Sequence, residues 1–351
     1  MADKLIPNSE PLEEIAREGA TRRDVFKTMG ATALGAALFS SAGFDAALAQ
    51  DLNASQTPLR AAFSNAGLQA TWCAQGKQAA EAWGKLMNVD ITWFDGELSA
   101  TKQRASIDNM AAQDWDFVAI QTFGIGTLTD PIQKMIDKGT PVIAMDTLVA
   151  PPGTIDITTF IAPDNVMMGA AVTQQLMDAI GGKGNVVMTQ GALGHSGAQG
   201  RAEGFRQIVA NYPDVVVVDE QPADWDVTKV ARIWDSILTQ NPEIVGAFFH
   251  NDDMALAAHN VMKAKGREGI IIGGVDAMPP AVNAVLDGVM LTTVRNPSSR
   301  IHGWSVAAGV AAVAGGGKAT AGIPEYILAD GPVITAETAP GQLWLQKNFL
   351  M

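Results

Sequence analysis

Residues 244–276 read IVGAFFHNDDMALAAHNVMKAKGREGIIIGGVD. The apolar run 244–250 predicts a β-strand, residues 254–264 have the apolar spacing of a helix, and the run 270–275 predicts a second strand. Short strands that alternate with helices of this length form right-handed crossovers on a parallel sheet whose two faces are covered. This stretch therefore predicts an α/β fold.

The same alternation extends in both directions along the chain. Further short apolar runs predict strands at residues 59–63, 89–93, 117–120, 141–145, 185–189, 215–219 and 291–294. Periodic apolar spacing predicts helices at residues 72–86, 101–113, 131–138, 165–180, 197–211, 228–240 and 279–287. The sequence as a whole predicts two doubly wound α/β lobes, each built on a parallel sheet.

Length and charge narrow the class of protein. The chain has 351 residues, which favours two domains, and a formal net charge of -13 at pH 7. Binding to nucleic acid needs a basic face that displaces counterions, so this charge argues against a nucleic-acid partner. Cys73 is the single cysteine and cannot form an intrachain disulfide.

The N-terminal segment has the parts of a secretory signal. Arg22 and Arg23 precede an uncharged stretch, residues 28–44, and an Ala-Leu-Ala run ends at Ala49. The paired arginines resemble the twin-arginine class of signals. A membrane anchor is the alternative, but the apolar stretch is shorter than the ~20 strongly apolar residues that a span needs. We expect residues 1–49 to be a signal peptide that is removed when the protein reaches the periplasm.

Polar side chains follow the predicted strands in both halves of the chain. In open α/β sheets, ligands bind beyond the carboxyl ends of the strands. Each such residue alone is also a normal helix cap or turn residue. Six positions in register, three from each half, favour a cleft lined from two sides. They are Ser64 and Asn65, Gln121 and Thr122, Asp146 and Thr147, Asn251 and Asp252, Asp276, and Asn296.

Five short motifs carry a family resemblance that extends over most of residues 58–345. They are residues 162–165 (APDN), 200–205 (GRAEGF), 221–226 (QPADWD), 251–256 (NDDMAL) and 273–276 (GGVD). In this order and at these spacings they resemble the type I periplasmic binding proteins of the ribose and galactose transport class.

The resemblance implies two lobes that are joined by a hinge of three chain crossings and close around a ligand. We place the crossings near Ala162, Asn296 and Leu328. The implied N-terminal lobe is residues 58–162 plus 297–327, and the implied C-terminal lobe is residues 163–295 plus 330–351.

The resemblance also implies a set of ligand-binding residues. Trp72 joins the set because it lies in a Phe-Ser-Asn-x(6)-Trp pattern similar to a sugar-binding subgroup. The implied contacts are Asn65, Trp72, Gln121, Asp146, Gln199, Trp225, Asn251, Asp276 and Asn296. Two positions depart from the family pattern, since Thr147 and Gln199 stand where many members have arginine. These departures put the hydroxyl pattern of ribose-type sites in doubt and leave pentoses, hexoses, tetritols, pentitols and cyclic polyols open.

These residue types suit a polyhydroxylated ligand. Carboxylates and primary amides offer two polar atoms at a fixed separation and can hold neighbouring hydroxyls together. The C–H face of a sugar packs on an aromatic ring such as Trp225. The function implied is a monomeric solute-binding protein that captures a sugar or sugar alcohol by hinge closure and delivers it to the permease of an ABC transporter, with no cofactor, catalytic residue or metal ligand.

Three other classes remain as alternatives. The same binding event can signal to a chemoreceptor, and the sequence does not separate that role from transport. A cleft enzyme is a second alternative, but the four histidines lie in no metalloprotease motif, and the chain has no Gly-x-Ser-x-Gly or phosphate-binding glycine loop. A transcription regulator would need a basic helix-turn-helix, whereas the N-terminus has the features of an export signal.

Overall fold

A computed structural model describes residues 57–316 and 322–348 of the chain. In chain order the described elements are β1 (Leu59–Asn65), α1 (Thr71–Met87), β2 (Val89–Asp95), α2 (Ala100–Ala111), β3 (Phe117–Ile120), α3 (Thr129–Asp137), β4 (Val142–Met145), β5 (Thr159–Ala162), α4 (Asn165–Ala179), β6 (Lys183–Thr189), α5 (Ser196–Val209), β7 (Asp214–Asp219), α6 (Val227–Gln240), β8 (Ile244–Phe249), α7 (Asp252–Ala264), β9 (Ile271–Val275), α8 (Pro279–Leu286), β10 (Thr292–Val294), α9 (Ser298–Ala314), β11 (Tyr326–Leu328), β12 (Val333–Ile334) and α10 (Ala339–Asn348).

These elements form two separate six-stranded sheets. The strand order is β11-β5-β4-β3-β1-β2 in the first sheet and β12-β10-β9-β8-β6-β7 in the second. All strand pairs are parallel except β10 and β12. We call each sheet with the helices packed on it a lobe. The predicted fold class, two doubly wound α/β lobes, is confirmed.

Apolar clusters lie on both faces of each sheet, as expected for parallel sheets. In the first lobe, one face of the sheet packs with α9, so that Ile301 and Val306 join Phe63 in one cluster. In the second lobe, Trp234 of α6 packs in a cluster with Phe249 of β8. The strands are therefore covered on both sides, and their carboxyl ends are the part of each sheet left for a site.

The chain passes between the sheets three times. It leaves the first sheet after β5, returns after β10, and leaves again between β11 and β12. The exact residue limits predicted for the lobes stay a prediction.

Helices α4 and α5 approach each other closely through glycines. A Cβ built on Gly204 would lie 2.1 Å from the carbonyl oxygen of Val166, and one on Gly169 would lie 2.2 Å from that of Arg201. Only a residue without a side chain permits this separation of the backbones. The close packing fixes the position of Arg201 on α5.

Three strands escaped the sequence prediction. β5 has four residues, β11 three and β12 two. β11 and β12 are held by pairing with β5 and β10, a contact between distant parts of the chain that leaves no local pattern. The prediction also placed the start of one helix too late. The predicted helix began at residue 254, whereas α7 begins at Asp252 and Asn251 is its N-cap.

Within the described residues, every helix is too short or too polar to cross a bilayer. The predicted signal peptide, residues 1–49, lies outside the described residues.

Candidate functional site

A cavity lies between the carboxyl ends of the two sheets. The space in it that is open to the centre of a water-sized sphere is about 40 Å³. Seven of the nine predicted ligand contacts line it: Trp72, Gln121, Asp146, Trp225, Asn251, Asp276 and Asn296. The other lining residues are Ala66, Ala70, Cys73, Leu98, His195 and Arg201. The cavity thus brings together residues from both halves of the chain, and their role as ligand contacts stays a prediction.

Asp146 forms the polar centre of the first lobe's side of the cavity. It follows the last residue of β4 in a left-handed backbone conformation, with φ 57°. Its Oδ1 accepts a hydrogen bond from Asn296 Nδ2 at 2.9 Å, and its Oδ2 accepts one from Gln121 Nε2 at 3.1 Å. The carboxylate is 3% exposed and retains lone pairs for hydroxyl donors of a ligand.

Asp276 takes the corresponding position in the second lobe. It follows the last residue of β9, also at positive φ, 118°. Arg201 Nη2 lies 3.5 Å from Asp276 Oδ1, and both side chains are buried. Burial raises the pKa of Asp276 well above its usual value, and the Arg201 charge opposes this shift. Non-glycine residues at positive φ are costly and concentrate at functional sites, which supports a ligand role for both aspartates.

Two asparagines contribute one free polar atom each to the lining. Asn251 Oδ1 accepts from the backbone amide of Met254 at 3.0 Å and so caps α7, which leaves Nδ2 as the donor for a ligand. The capping and binding interpretations of Asn251 are therefore compatible. Asn296 lies where the chain returns to the first lobe. Its Nδ2 is bonded to Asp146, while its buried Oδ1 has no partner among the described residues. A ligand hydroxyl would satisfy this acceptor.

One tryptophan from each lobe lines the cavity. Trp72 of α1 donates from Nε1 to the backbone carbonyl of Asn296 at 3.1 Å, which fixes its indole against the crossing. Trp225 precedes α6, and its ring packs on Gly191, where a Cβ would lie 2.0 Å from the ring. Arg201 lies over the Trp225 ring, 5.7 Å from its centroid. The cavity therefore offers two rigid apolar surfaces.

Gln121 lines the cavity but has both ends of its amide engaged by the protein. Its Oε1 accepts from the backbone amide of Ala66 at 3.1 Å and from Cys73 Sγ at 3.5 Å, and its Nε2 donates to Asp146. Burial raises the pKa of Cys73 to about 12, so this cysteine stays a neutral thiol. Gln121 acts mainly by orienting Asp146.

The structure does not place Asn65 in the cavity lining, contrary to the sequence prediction. Asn65 Nδ2 donates to His302 Nε2 at 3.1 Å, and His302 Nδ1 donates to the Ser298 carbonyl at 2.7 Å. His302 in turn packs against Trp72, with ring centroids 5.1 Å apart. Asn65 therefore supports the wall from behind.

Gln199 is also outside the cavity lining. Its side chain is exposed and donates to the Leu193 carbonyl at 3.1 Å. Helix α5 turns a different face toward the cavity, so Arg201, two positions later, is the residue of this segment that lines it. The cavity therefore has a buried arginine, which the sequence prediction missed. Arg201 itself is part of the motif at residues 200–205 that carries the family resemblance.

His195 is a second lining residue that the sequence prediction missed. Its Nδ1 accepts from the backbone amide of Gly197, so its Nε2 carries the proton and donates to Thr147 Oγ1 at 2.6 Å. Burial lowers the pKa of His195 to about 4, which keeps the ring neutral. Thr147, which stands where the family pattern often has arginine, thus binds a side chain of the opposite lobe.

The two lobes are in contact around the cavity. On one side, the backbone amide and hydroxyl of Thr71 donate to Asp253 at 2.9 and 2.8 Å. On the other side, the Leu148 amide donates to Ser196 Oγ at 3.0 Å, next to the bond between Thr147 and His195. The structure is therefore a closed conformer, with hydrogen bonds between the lobes on both sides of the site.

Comparison with known families agrees with this arrangement. The family model described as "Periplasmic binding protein domain" matches residues 61–318. The chain belongs to this family.

Curated relatives of this periplasmic binding protein include sugar and polyol binders. The chain is 31% identical over 220 residues to a xylitol-binding protein of Mycolicibacterium smegmatis, a match that covers 62% of each chain. It is 28% identical over 218 residues to the ribose import binding protein of Salmonella typhimurium, covering 62% of this chain and 72% of the relative. Both relatives are named as binding proteins rather than enzymes.

A solved structure shares the architecture of this periplasmic binding protein. It is the binding component of the arabinose ABC transporter from Shewanella sp. ANA-3, bound to α- and β-L-arabinofuranose. The TM-score is 0.74 at 26% identity, and the alignment covers 82% of this chain and 95% of the solved one.

His250 directly follows β8, next to Asn251 and Asp252. In this periplasmic binding protein, its Nδ1 accepts from the backbone amide of Gly191 at 3.2 Å, and burial lowers its pKa well below the usual value. Among the described residues, no three His, Cys, Asp or Glu side chains are grouped to hold a metal ion. Asp252 accepts hydrogen bonds from Thr293 Oγ1 at 2.7 Å and from the Met278 amide at 2.9 Å, which is a structural role.

We expect His302 to make the stability of this periplasmic binding protein pH-dependent. Burial lowers the pKa of His302 from 6.5 to about 4. The unfolded chain binds a proton at this histidine more readily than the folded chain does. The free energy of unfolding that the neutral ring provides is therefore fully present above pH 6.5 and is lost as the pH falls toward 4. His302→Gln should therefore reduce the slope of unfolding free energy between pH 6 and 5 by about 1.4 kcal/mol per pH unit.

The measurement is urea unfolding at a series of pH values. Ser305→Ala is the control, since it removes a buried hydroxyl of α9 that donates to the Ile301 carbonyl at 2.7 Å and carries no titrating proton in this range. It should lower stability equally at each pH. An unchanged slope in His302→Gln would contradict the prediction.

Proposed function

We propose that this periplasmic binding protein captures a sugar or sugar alcohol and delivers it to the permease of an ABC transporter. The observation that carries the proposal is the closed cavity between the lobes, where carboxylates, amides and an arginine converge beside two tryptophans. The names of the relatives support the same class of ligand.

The chemistry of the lining matches a polyol better than an ionic ligand. Asp146, Asp276 and Asn296 Oδ1 accept hydrogen bonds, whereas Arg201 and Asn251 Nδ2 donate them. A hydroxyl group both donates and accepts, so vicinal hydroxyls pair with both kinds of group. A buried polar atom left unpaired costs roughly 1–3 kcal/mol, so a ligand that lacks one hydroxyl should bind less tightly.

Closure of the hinge couples binding to recognition by the transporter. A ligand held by both lobes binds the closed state more tightly than the open one and shifts the population toward it. We propose that the three chain crossings near Ala162, Asn296 and Leu328 are the hinge. The proposed lobes are residues 58–162 plus 297–327 and residues 163–295 plus 330–351.

The proposal includes export to the periplasm. The sequence signal at residues 1–49, with Arg22 and Arg23 before the apolar stretch and cleavage after Ala49, supports it. The mature protein is proposed to act as a monomer.

A thermal-shift screen of residues 50–351 tests this function. Aldoses, ketoses, alditols and cyclitols are compared with amino acids and divalent metals. A ligand at 100 times its dissociation constant adds about 2.7 kcal/mol to the stability of the native state, which the screen detects. We expect a rise in Tm with one or a few polyols. A response to amino acids or metals with silence across the polyols would overturn the proposed ligand class.

A further inference from the structure

One residue of the cavity lining is more exposed than the others. Of the described residues that line the cavity, twelve are buried and Leu98 is half-buried. Leu98 also lines an outer cleft of about 630 Å³ that opens to solvent. Leu98 and Trp225 line both spaces. These two side chains, one from each lobe, therefore separate the inner cavity from the outer cleft.

Both residues are held firmly in place. Leu98 donates its backbone amide to the Ala66 carbonyl at 2.8 Å and packs on Gly67, where a built Cβ would lie 2.7 Å from Leu98 Cγ. Trp225 packs in the same way on Gly191. Each side chain of the pair thus lies against a glycine that has no room for a side chain of its own.

The backbone at both residues is strained in the same way. Glu97 and Leu98 have φ 51°, and Asp224 and Trp225 have φ 54° and 64°. Consecutive non-glycine residues in the left-handed region are uncommon and persist where the surroundings impose them. Both strained positions lie on the boundary between the inner cavity and the outer cleft.

Leu98 also belongs to the contact between the lobes. With Phe123, it packs against the apolar cluster of the second lobe that contains Trp225. Closing the lobes therefore brings Leu98 onto the second lobe and completes the wall. A group on the ligand that extended toward the outer cleft would prevent this contact.

We propose that Leu98 and Trp225 set the length of the ligand, so that the closed site accepts a single unsubstituted sugar or polyol unit and rejects one that carries a glycosidic substituent. This inference rests on the proposed function and narrows its ligand class. The outer cleft has room for a second unit, and the pair of side chains keeps that unit from being joined to the first.

Matched ligand pairs test the proposal by calorimetry: ribose with methyl riboside, galactose with methyl galactoside, and sorbitol with its glucosylated form, maltitol. Wild type should prefer the unsubstituted member by about 100-fold, since the substituent meets a fixed wall. Leu98→Gly removes the side chain and relieves the strain at positive φ. It should reduce the preference by about 10-fold or more for at least one pair.

Leu98→Met is the matched control, because it keeps a similar volume and should preserve the preference within about threefold. The proposal is overturned if wild type binds both members of a pair equally, or if Leu98→Gly keeps the full preference in every pair that wild type discriminates. A wild type that binds neither member of any pair, and no other polyol, overturns the proposed function and with it this inference.

Discussion

Replacing Asp146 by Asn should weaken ligand binding by about 100-fold, or about 3 kcal/mol. The asparagine has nearly the same size and tolerates the left-handed backbone at this position, where φ is 57°. Its amide nitrogen, however, would meet Gln121 Nε2, which now donates to Asp146 Oδ2 at 3.1 Å. One of the two acceptor oxygens that serve Gln121, Asn296 and the ligand would be lost. Calorimetry with the polyol found in the thermal-shift screen measures the effect.

Asp130→Asn is the matched control for this substitution. Asp130 is 76% exposed, lies 3.5 Å from Arg104 and is not part of the cavity lining. Exposed ion pairs contribute little, so affinity and Tm should stay as in wild type. If Asp146→Asn bound the ligand within threefold of wild type, the cavity between the lobes would not be the binding site.

Gly204→Ala should lower the stability of the protein by about 3 kcal/mol, which for a domain of this size lowers Tm by roughly 6–12 °C. The new Cβ would lie 2.1 Å from the Val166 carbonyl oxygen and 2.5 Å from the Ala170 amide nitrogen. Both are backbone atoms of α4, so no side-chain rotation relieves the overlap, and the two helices must separate. Because Arg201 lies on α5, ligand affinity should fall as well.

Gly341→Ala provides the control for the glycine substitution. Gly341 lies in α10, and a Cβ there would have nothing within 4 Å. Alanine is favoured over glycine in helices by up to about 1 kcal/mol, so this variant should be as stable as wild type or slightly more stable. Differential scanning calorimetry measures the Tm of wild type, Gly204→Ala and Gly341→Ala. Equal melting temperatures for Gly204→Ala and wild type would show that α4 and α5 are less tightly packed than described.

The sequence by itself determined the fold class, because strands and helices of sufficient length leave a periodic apolar pattern that does not depend on their neighbours. It also determined which strand ends carry polar residues, and the order of the strands brought Asp146 and Asp276 to the cavity from opposite lobes. Short strands such as β11 and β12 left no pattern, since pairing with another strand holds them.

Only the tertiary structure decided which polar residues line the cavity. Asn65 and Gln199 are the right types of residue, but one bonds to His302 behind the wall and the other lies on an exposed face of α5. Arg201 and His195 take part because the packing of helices and the closure of the lobes set their direction. A linear pattern records the identity and spacing of side chains. The direction in which each one points depends on contacts between residues far apart in the chain, which form only when the lobes fold and meet.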